Sequence, residues 1–312
     1  MILVLLGIGG VLLAVPGLVL TTPRALAAAQ RAKTITACLL LGAAAFEVAL
    51  LLLGAPTVLR TIDHTAFASA CTTVIDRLAP GGTTVGWLAA SLAAFIAINA
   101  VRATVRARRQ TRAARVEPCL GIHVDHGLFD LVIVPTERLV AVGVPGTRPQ
   151  VVLSEGLVRT LTSQEVQAVI RHEAAHHALG HHRYLLAASV LERTLGRLPF
   201  VRRSATTLRN ALEHWADDAA AATADSASLE LRDAIVGVAC AKATREVPAV
   251  GRRSRVIDRA DRLGRSARPR TRAAPTLVYT SIATTAAATL ALVVDWLTTA
   301  HHALALSGYC PT

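Results

Sequence analysis

Four long apolar segments, separated by arginine-containing stretches, dominate the hydrophobic pattern of the chain. Each contains about 20 residues and carries at most one charged side chain, which is enough apolar length to cross the roughly 30 Å hydrocarbon layer of a bilayer. The first segment lacks the charged start of a secretory signal peptide, although Ala27, Ala28 and Ala29 leave cleavage as an alternative. The pattern therefore predicts four transmembrane helices, at residues 1–20, 35–59, 85–101 and 276–297.

Composition agrees with this interpretation. Hydrophobic residues make up 53% of the 312 residues and charged residues only 17%, which is more apolar than is usual for a soluble domain. The five cysteines form no Cys-x-x-Cys pair, so neither a thiolate zinc site nor a small disulfide-rich scaffold is expected.

Basic residues flank the four segments unevenly. Arg24, Arg31 and Lys33 follow the first segment without an acid, residues 102–115 and 265–272 are arginine-rich, and the tail after the fourth segment has neither Lys nor Arg. Positive residues favour the cytoplasmic side. We therefore expect a multi-pass protein of the cell membrane, with the N-terminus and C-terminal tail outside and the block from 102 to 272 in the cytoplasm.

This topology divides the chain into three parts. We predict a three-span membrane region with a basic juxtamembrane segment at 1–115, a cytoplasmic domain at 116–272, and the fourth span with a short outer tail at 273–312. Cys71 and Cys310 would both lie outside, where a disulfide is chemically allowed. Independent small apolar residues are the alternative, and the sequence leaves that choice open.

The cytoplasmic block has the pattern of a mixed α+β domain. Short β-rich runs at 139–144 and 151–153 are separated by Pro145, Gly146 and Pro149, which predicts two strands joined by a turn. Thr162 and Glu165 match a capping box and predict the start of a helix. A second helix is expected at about 205–224.

The first of these helices carries the chemistry. In the run Arg-His-Glu-Ala-Ala-His-His at 171–177, His172 and His176 are four residues apart, so both imidazoles leave one helix face as two ligands of a tetrahedral zinc ion would. Glu173 is placed to take a proton from the attacking water. The alternative is a solvated histidine-rich helix, because His177, His181 and His182 follow at once.

The second helix supplies further ligands. Glu213 can offer a third ligand atom, and Asp217, four residues later on the same face, can accept the free ring N–H of a ligating histidine. A solvated acidic pair is the alternative, but it does not explain Trp215 and the alanine-rich surroundings. We predict one Zn²⁺ per chain.

The motif His-Glu-x-x-His followed by Glu-x-x-Ala-Asp resembles the gluzincin membrane metallopeptidases, which include the heat-shock protease HtpX and the CAAX prenyl endopeptidases. A peptidase block inserted between the third and fourth spans is similar to the BlaR/MecR antirepressor family. Only about fifteen residues follow the fourth segment, so we expect no penicillin-binding sensor domain. The fold class implied is an α-helical membrane protein with four transmembrane helices and an inserted α+β gluzincin-type zinc protease domain.

This resemblance also implies residue roles. His172, His176 and Glu213 would be the zinc ligands, and Glu173 would be the general base and later the proton donor to the leaving amine. Arg259 resembles an arginine element of the wider class and is a candidate transition-state stabiliser, with Tyr184 and His214 as competitors.

The function expected is that of a zinc metalloendopeptidase cleaving a cytoplasmic protein or peptide, such as a transcriptional repressor in signalling proteolysis. One alternative is membrane-protein quality control of the HtpX type, and another is a non-proteolytic signal transducer with a structural zinc site. Expected partners are the substrate and the lipid bilayer. Direct nucleic-acid binding is not expected, because positive-inside bias already accounts for the arginine clusters and no aromatic residues alternate with them.

Overall fold

The computed structural model of the chain describes residues 2–19, 27–62, 82–114, 121–223, 226–243, 250–264 and 275–306. Cys71, Cys310, most of the predicted outer segment at 60–84 and the arginine run at 265–272 lie outside these ranges. The Cys71–Cys310 pairing that the sequence leaves open, and the basic residues before the fourth segment, therefore lie outside the described residues.

Four long helices coincide with the four apolar segments: α1 (Ile2–Val19), α2 (Ala28–Ile62), α3 (Gly82–Ala113) and α10 (Pro275–Leu306). Among the described helices, α2 and α3 alone are long and apolar enough to cross a bilayer, and the shorter apolar stretches Ile2–Pro16 and Ala286–Asp295 do not reach that length. Two such helices suggest membrane association only weakly, because core helices and signal sequences can share these properties. The four-span topology stays a prediction.

A four-stranded mixed sheet begins the domain that follows. Its strands are β1 (Ile122–Asp125), β2 (Asp130–Val134), β3 (Ala141–Val144) and β4 (Gln150–Ser154), in the spatial order β1-β2-β4-β3. Strands β3 and β4 pair antiparallel, as the turn signals between them predicted, and β2 pairs parallel with β4. The central strand β4 is buried along its whole length, and β3 is an edge strand.

Six helices complete this domain, and local sequence explains where several of them start. A side-chain hydrogen bond from Leu157 N–H to Ser154 caps α4, and the predicted Thr162–Glu165 capping box begins α5. Gly180 lies in the left-handed region at φ 65° and separates α5 from α6. The six helices are α4 (Glu155–Thr160), α5 (Ser163–Ala178), α6 (His181–Leu195), α7 (Pro199–Ala221), α8 (Ala227–Ala243) and α9 (Val250–Gly264).

The N-terminal helices and the later helices share one hydrophobic core. Leu13 of α1 and Ile35 and Leu39 of α2 pack with Leu208 and Leu212 of α7, and all five side chains are buried. Hydrogen bonding continues the contact, because the Ser204 hydroxyl donates to the carbonyl oxygen of Leu13. The helix predicted to carry two site residues therefore rests directly on α1 and α2. The three-part division of the chain stays a prediction.

Candidate metal centre

Helices α5 and α7 bring the predicted metal-binding residues together. On α5, Nε2 of His172 and Nε2 of His176 lie 3.2 Å apart, as expected for side chains one helical turn from each other. From α7, the two carboxylate oxygens of Glu213 lie 3.7 Å from these nitrogens, one oxygen from each. One donor atom from each residue falls within 4.8 Å of the other two. The three groups therefore surround a common point where a metal ion could bind.

Asp217 lies behind this cluster and is completely buried. Its Oδ1 is 3.1 Å from Nδ1 of His172, and its carboxylate also accepts hydrogen bonds from Nε and Nη2 of Arg259 at 3.0 and 2.7 Å. Burial opposes ionisation, but the contacts with His172 and Arg259 outweigh it and lower the pKa of Asp217. The residue is therefore a buried carboxylate that lies next to the ring nitrogen of His172 opposite the cluster.

The two histidines of the cluster differ in their affinity for a proton. Burial lowers the pKa of His172, but contacts with Asp217 and Glu213 more than compensate and raise it to about 9. Burial and the neighbouring His172 lower the pKa of His176 to about 3. His172 therefore holds a proton more strongly than His176 does.

Glu173 is half-buried beside the cluster and accepts a hydrogen bond from the sheet edge. The N–H of Gly143, in β3, donates to Oε2 of Glu173 at 2.9 Å. Burial raises the pKa of Glu173, although His172 and the Gly143 hydrogen bond act in the opposite direction. A Cβ at position 143 would lie 2.6 Å from Nε2 of His177, so a larger residue here would force the His177 ring to move.

A comparison with protein-family models gives one match, to peptidase family M48, over residues 140–299. The matched range covers just over half of the chain and includes every residue of the cluster. The chain belongs to peptidase family M48. Neither a curated protein nor a solved structure matches the chain significantly.

Membership makes this protein a metalloendopeptidase, because M48 peptidases depend on a metal. The histidine pair and Glu213 provide a metal-binding group within the matched range. The match supports the broader gluzincin-type prediction. It does not distinguish an antirepressor-type peptidase from other M48 peptidases.

One residue of the M48 site escaped the sequence analysis. Nδ1 of His181, the first residue of α6, lies 2.9 Å from Nδ1 of His176, and the His181 side chain is completely buried. From the sequence, His181 is expected only as part of a solvated histidine run. His181 is five residues from His176, whereas neighbours on one helix face are three or four residues apart. The left-handed turn at Gly180 ends α5 and places His181 next to the site.

Two of the three candidate transition-state stabilisers lie outside the cavity of the M48 peptidase. His214 faces α2, where its Nδ1 is 3.0 Å from Nη2 of Arg31, because one residue along a helix turns the side chain by about 100° from Glu213. Tyr184 packs on the ring of Trp215 in the shared core. Only Arg259 lines the cavity, with Nη1 2.8 Å from Glu213.

The cluster of this M48 peptidase opens onto a cavity of about 1130 Å³. Strand β3 and the turn after it, helices α5 to α9 and the C-terminal part of α3 all contribute to its lining. Leu139, Leu157, Val169 and Val238 give much of this surface an apolar character. A space of this size and lining can hold a segment of peptide next to the metal-binding group.

Proposed function

We propose that this M48 peptidase is an integral membrane zinc endopeptidase that hydrolyses peptide bonds of a cytoplasmic protein. The observation that carries the proposal is the convergence of His172, His176 and Glu213 on one point of the cavity, with Glu173 beside them. The proposal adds the metal, the residue roles, the membrane topology and the substrate class to the family assignment.

The donor set fits a single zinc ion. Two imidazole nitrogens and one carboxylate oxygen are a ligand set that catalytic zinc sites use while one position stays open. A structural site would be closed by a fourth protein ligand, and within the described residues only His172, His176 and Glu213 form such a group. When bound, the ion supplies Lewis acidity toward water and the scissile carbonyl.

Each of the two histidines has a partner at Nδ1 that favours the ring tautomer a metal ligand requires. With Nε2 of each ring turned to the metal, Nδ1 carries the proton. Asp217 is placed to accept that proton from His172, and Nδ1 of His181 can accept it from His176. Such partners orient ligating imidazoles and increase their basicity.

Glu173 is the proposed general base. Its raised pKa brings the carboxyl group closer to neutral pH, where proton transfer in both directions is efficient. It takes a proton from the attacking water and delivers it to the leaving amine. The hydrogen bond from Gly143 holds one carboxylate oxygen, which leaves the other for this transfer.

Arg259 is the proposed stabiliser of negative charge in the transition state. It is the cavity-lining arginine in direct contact with the site, and Asp217 holds its guanidinium in place through two hydrogen bonds. A fixed cationic donor costs little reorganisation when charge develops on the carbonyl oxygen.

The edge strand β3 is the proposed docking strand for the substrate backbone. The N–H of Gly143 points to Glu173 and away from β4, so the outer edge of β3 faces the site. An extended peptide can pair with such an edge through main-chain hydrogen bonds.

A position in the cell membrane is supported by exposed apolar surface. On α3, Leu88, Leu92, Phe95 and Ile98 are all at least 42% exposed, which is unfavourable in water and suits lipid. The contact of Arg31 with His214 supports an orientation in which the first loop and the peptidase share the cytoplasmic side. We propose four spans with both termini outside.

The finer role that we propose is regulated cleavage of a cytoplasmic protein such as a transcriptional repressor. It rests on the resemblance to the BlaR/MecR arrangement of spans and peptidase. The resemblance to HtpX supports quality control of membrane proteins instead, and the two roles differ in the number of substrates.

The decisive experiment compares the full chain with its Glu173→Gln variant in neutral detergent. Metal analysis should give one zinc per chain for both proteins, while only the wild type hydrolyses peptides and loses that activity to a chelator. Zinc-dependent hydrolysis by Glu173→Gln would remove Glu173 from its role. Zinc without hydrolysis in the wild type would favour a structural site.

Cells that produce either protein identify the substrate. Proteins that accumulate with Glu173→Gln are measured by comparative proteomics. One or a few accumulating cytoplasmic proteins support signalling proteolysis, whereas many misfolded membrane proteins support quality control.

A further inference from the structure

The cavity has an uneven charge distribution away from the metal-binding group. Among the described residues that line it, the only acids are Glu173 and Glu213, which belong to the site itself. Three arginines line it as well: Arg108, Arg112 and Arg259. Arg259 is already paired with Glu213 and Asp217. Away from the metal-binding group, the charged side chains that line the cavity are therefore positive.

The two remaining arginines come from α3, the helix of the third predicted span. This helix continues past the predicted end of the span for about three turns, and its last turns reach the cavity. Arg108 and Arg112 are four residues apart, hence on one face, and both side chains are exposed. Neither forms an ion pair or hydrogen bond within the described part of the chain.

Two other arginines of this helix segment lie outside the cavity. Arg106 and Arg109 are also exposed but do not line the cavity. Positive-inside bias and anionic lipid account for basic residues on any face near a membrane. They do not account for a pair that shares the cavity with the catalytic group.

We propose that Arg108 and Arg112 form a substrate subsite that binds an acidic side chain of the peptide being cleaved. This inference rests on the proposed function and names its substrate class: peptide segments with Asp or Glu near the scissile bond. Guanidinium groups bind carboxylates through paired hydrogen bonds, and the carboxylate has no competing acid to meet in this part of the cavity.

Peptide libraries test the subsite with the full chain in neutral detergent. Wild type should cleave peptides in which one position near the cut is enriched about fivefold in Asp and Glu, since partly exposed ion pairs are individually weak. The enrichment should fall as salt rises. The double variant Arg108→Glu/Arg112→Glu should instead enrich Lys and Arg at that position.

The matched control is Arg106→Glu/Arg109→Glu, which places the same charge change on the same helix outside the cavity. It should keep the wild-type preference. An unchanged preference in Arg108→Glu/Arg112→Glu, or an equal change in the control, overturns the proposal. So does a loss of binding to phosphatidylglycerol vesicles in Arg108→Glu/Arg112→Glu with peptide preference retained, because the two arginines would then be lipid contacts.

A binding measurement separates this proposal from the proposed function. Fluorescence anisotropy with Glu173→Gln as the parent protein compares labelled acidic peptides with their lysine counterparts, and it requires no hydrolysis. Preference for acidic peptides that reverses with Arg108→Glu/Arg112→Glu supports the subsite, and equal binding rejects it. Failure of the wild type to cleave any library rejects the endopeptidase proposal alone.

Discussion

Replacing Asp217 with asparagine preserves side-chain volume and removes the buried charge that holds the metal site together. The change removes the negative charge that faces His172 and Arg259, and it exchanges the Oδ2 acceptor, 3.0 Å from Nε of Arg259, for an amide N–H donor that cannot accept that hydrogen bond. Breaking one partner out of a buried ionic network costs about 3–5 kcal/mol. Because Arg259 keeps Glu213 at 2.8 Å, we expect the lower end, about 3 kcal/mol, for the metal-free protein.

The same variant should bind zinc about 10–100-fold more weakly, which is the usual effect of losing a partner that orients a ligating histidine. Chelator competition measures the affinity, and denaturant unfolding of the full chain measures the stability. Asp218→Asn is the control, because Asp218 is half-exposed and its ion pair with Arg262 is worth about 1 kcal/mol or less. Zinc affinity of Asp217→Asn within about threefold of wild type would refute the orienting role.

Two further substitutions and one pH titration test the same metal centre. Gly143→Ala places a methyl group 2.6 Å from Nε2 of His177, so we expect kcat to fall about tenfold or more while zinc still binds. His181→Phe removes the contact with Nδ1 of His176 and should weaken zinc binding about tenfold, measured by chelator competition. Because the pKa of His172 is raised to about 9 in the metal-free protein, zinc must displace its proton. Apparent zinc affinity should therefore rise with pH until about 9, with close to one proton released near pH 7.5 in calorimetry across buffers.

Each of these predictions has an outcome that contradicts it. For Gly143→Ala, it is an unchanged kcat. For His181→Phe, it is a loss of zinc affinity no larger than that of His182→Phe, whose side chain is exposed on the same helix. For the titration, it is zinc binding that releases no proton near neutral pH.

Local sequence signals predicted those elements whose structure is determined by residues close together in the chain. The capping box of Thr162 and Glu165 is made within four residues, and the helix begins where that motif predicts. The β3–β4 hairpin follows from proline and glycine between two apolar runs. The approach of Glu213 to the histidines was predicted from a two-part motif, with one part on each helix, although no local rule places those helices side by side.

Long-range packing explains what the sequence did not predict. Strand β1 was missed because His123 and Asp125 alternate with its two apolar residues and it lies exposed at the sheet edge. Strand β2 was missed although its run from Leu131 to Val134 is apolar and β-branched, which is a local signal that could have found it. The Arg31–His214 contact joins residues 183 positions apart. The contribution of α3 to the cavity likewise depends on how α3 packs on α6, which no periodicity within α3 encodes.

The shared core of α1, α2 and α7 has a consequence for how this enzyme is made. The helix that presents Glu213 on one side buries Val201, Leu208 and Leu212 against the N-terminal helices on the other. A fragment that starts at residue 116 would expose this entire apolar face to water. The placement of Glu213 is therefore coupled to α1 and α2, because the helix that presents it buries its opposite face against them.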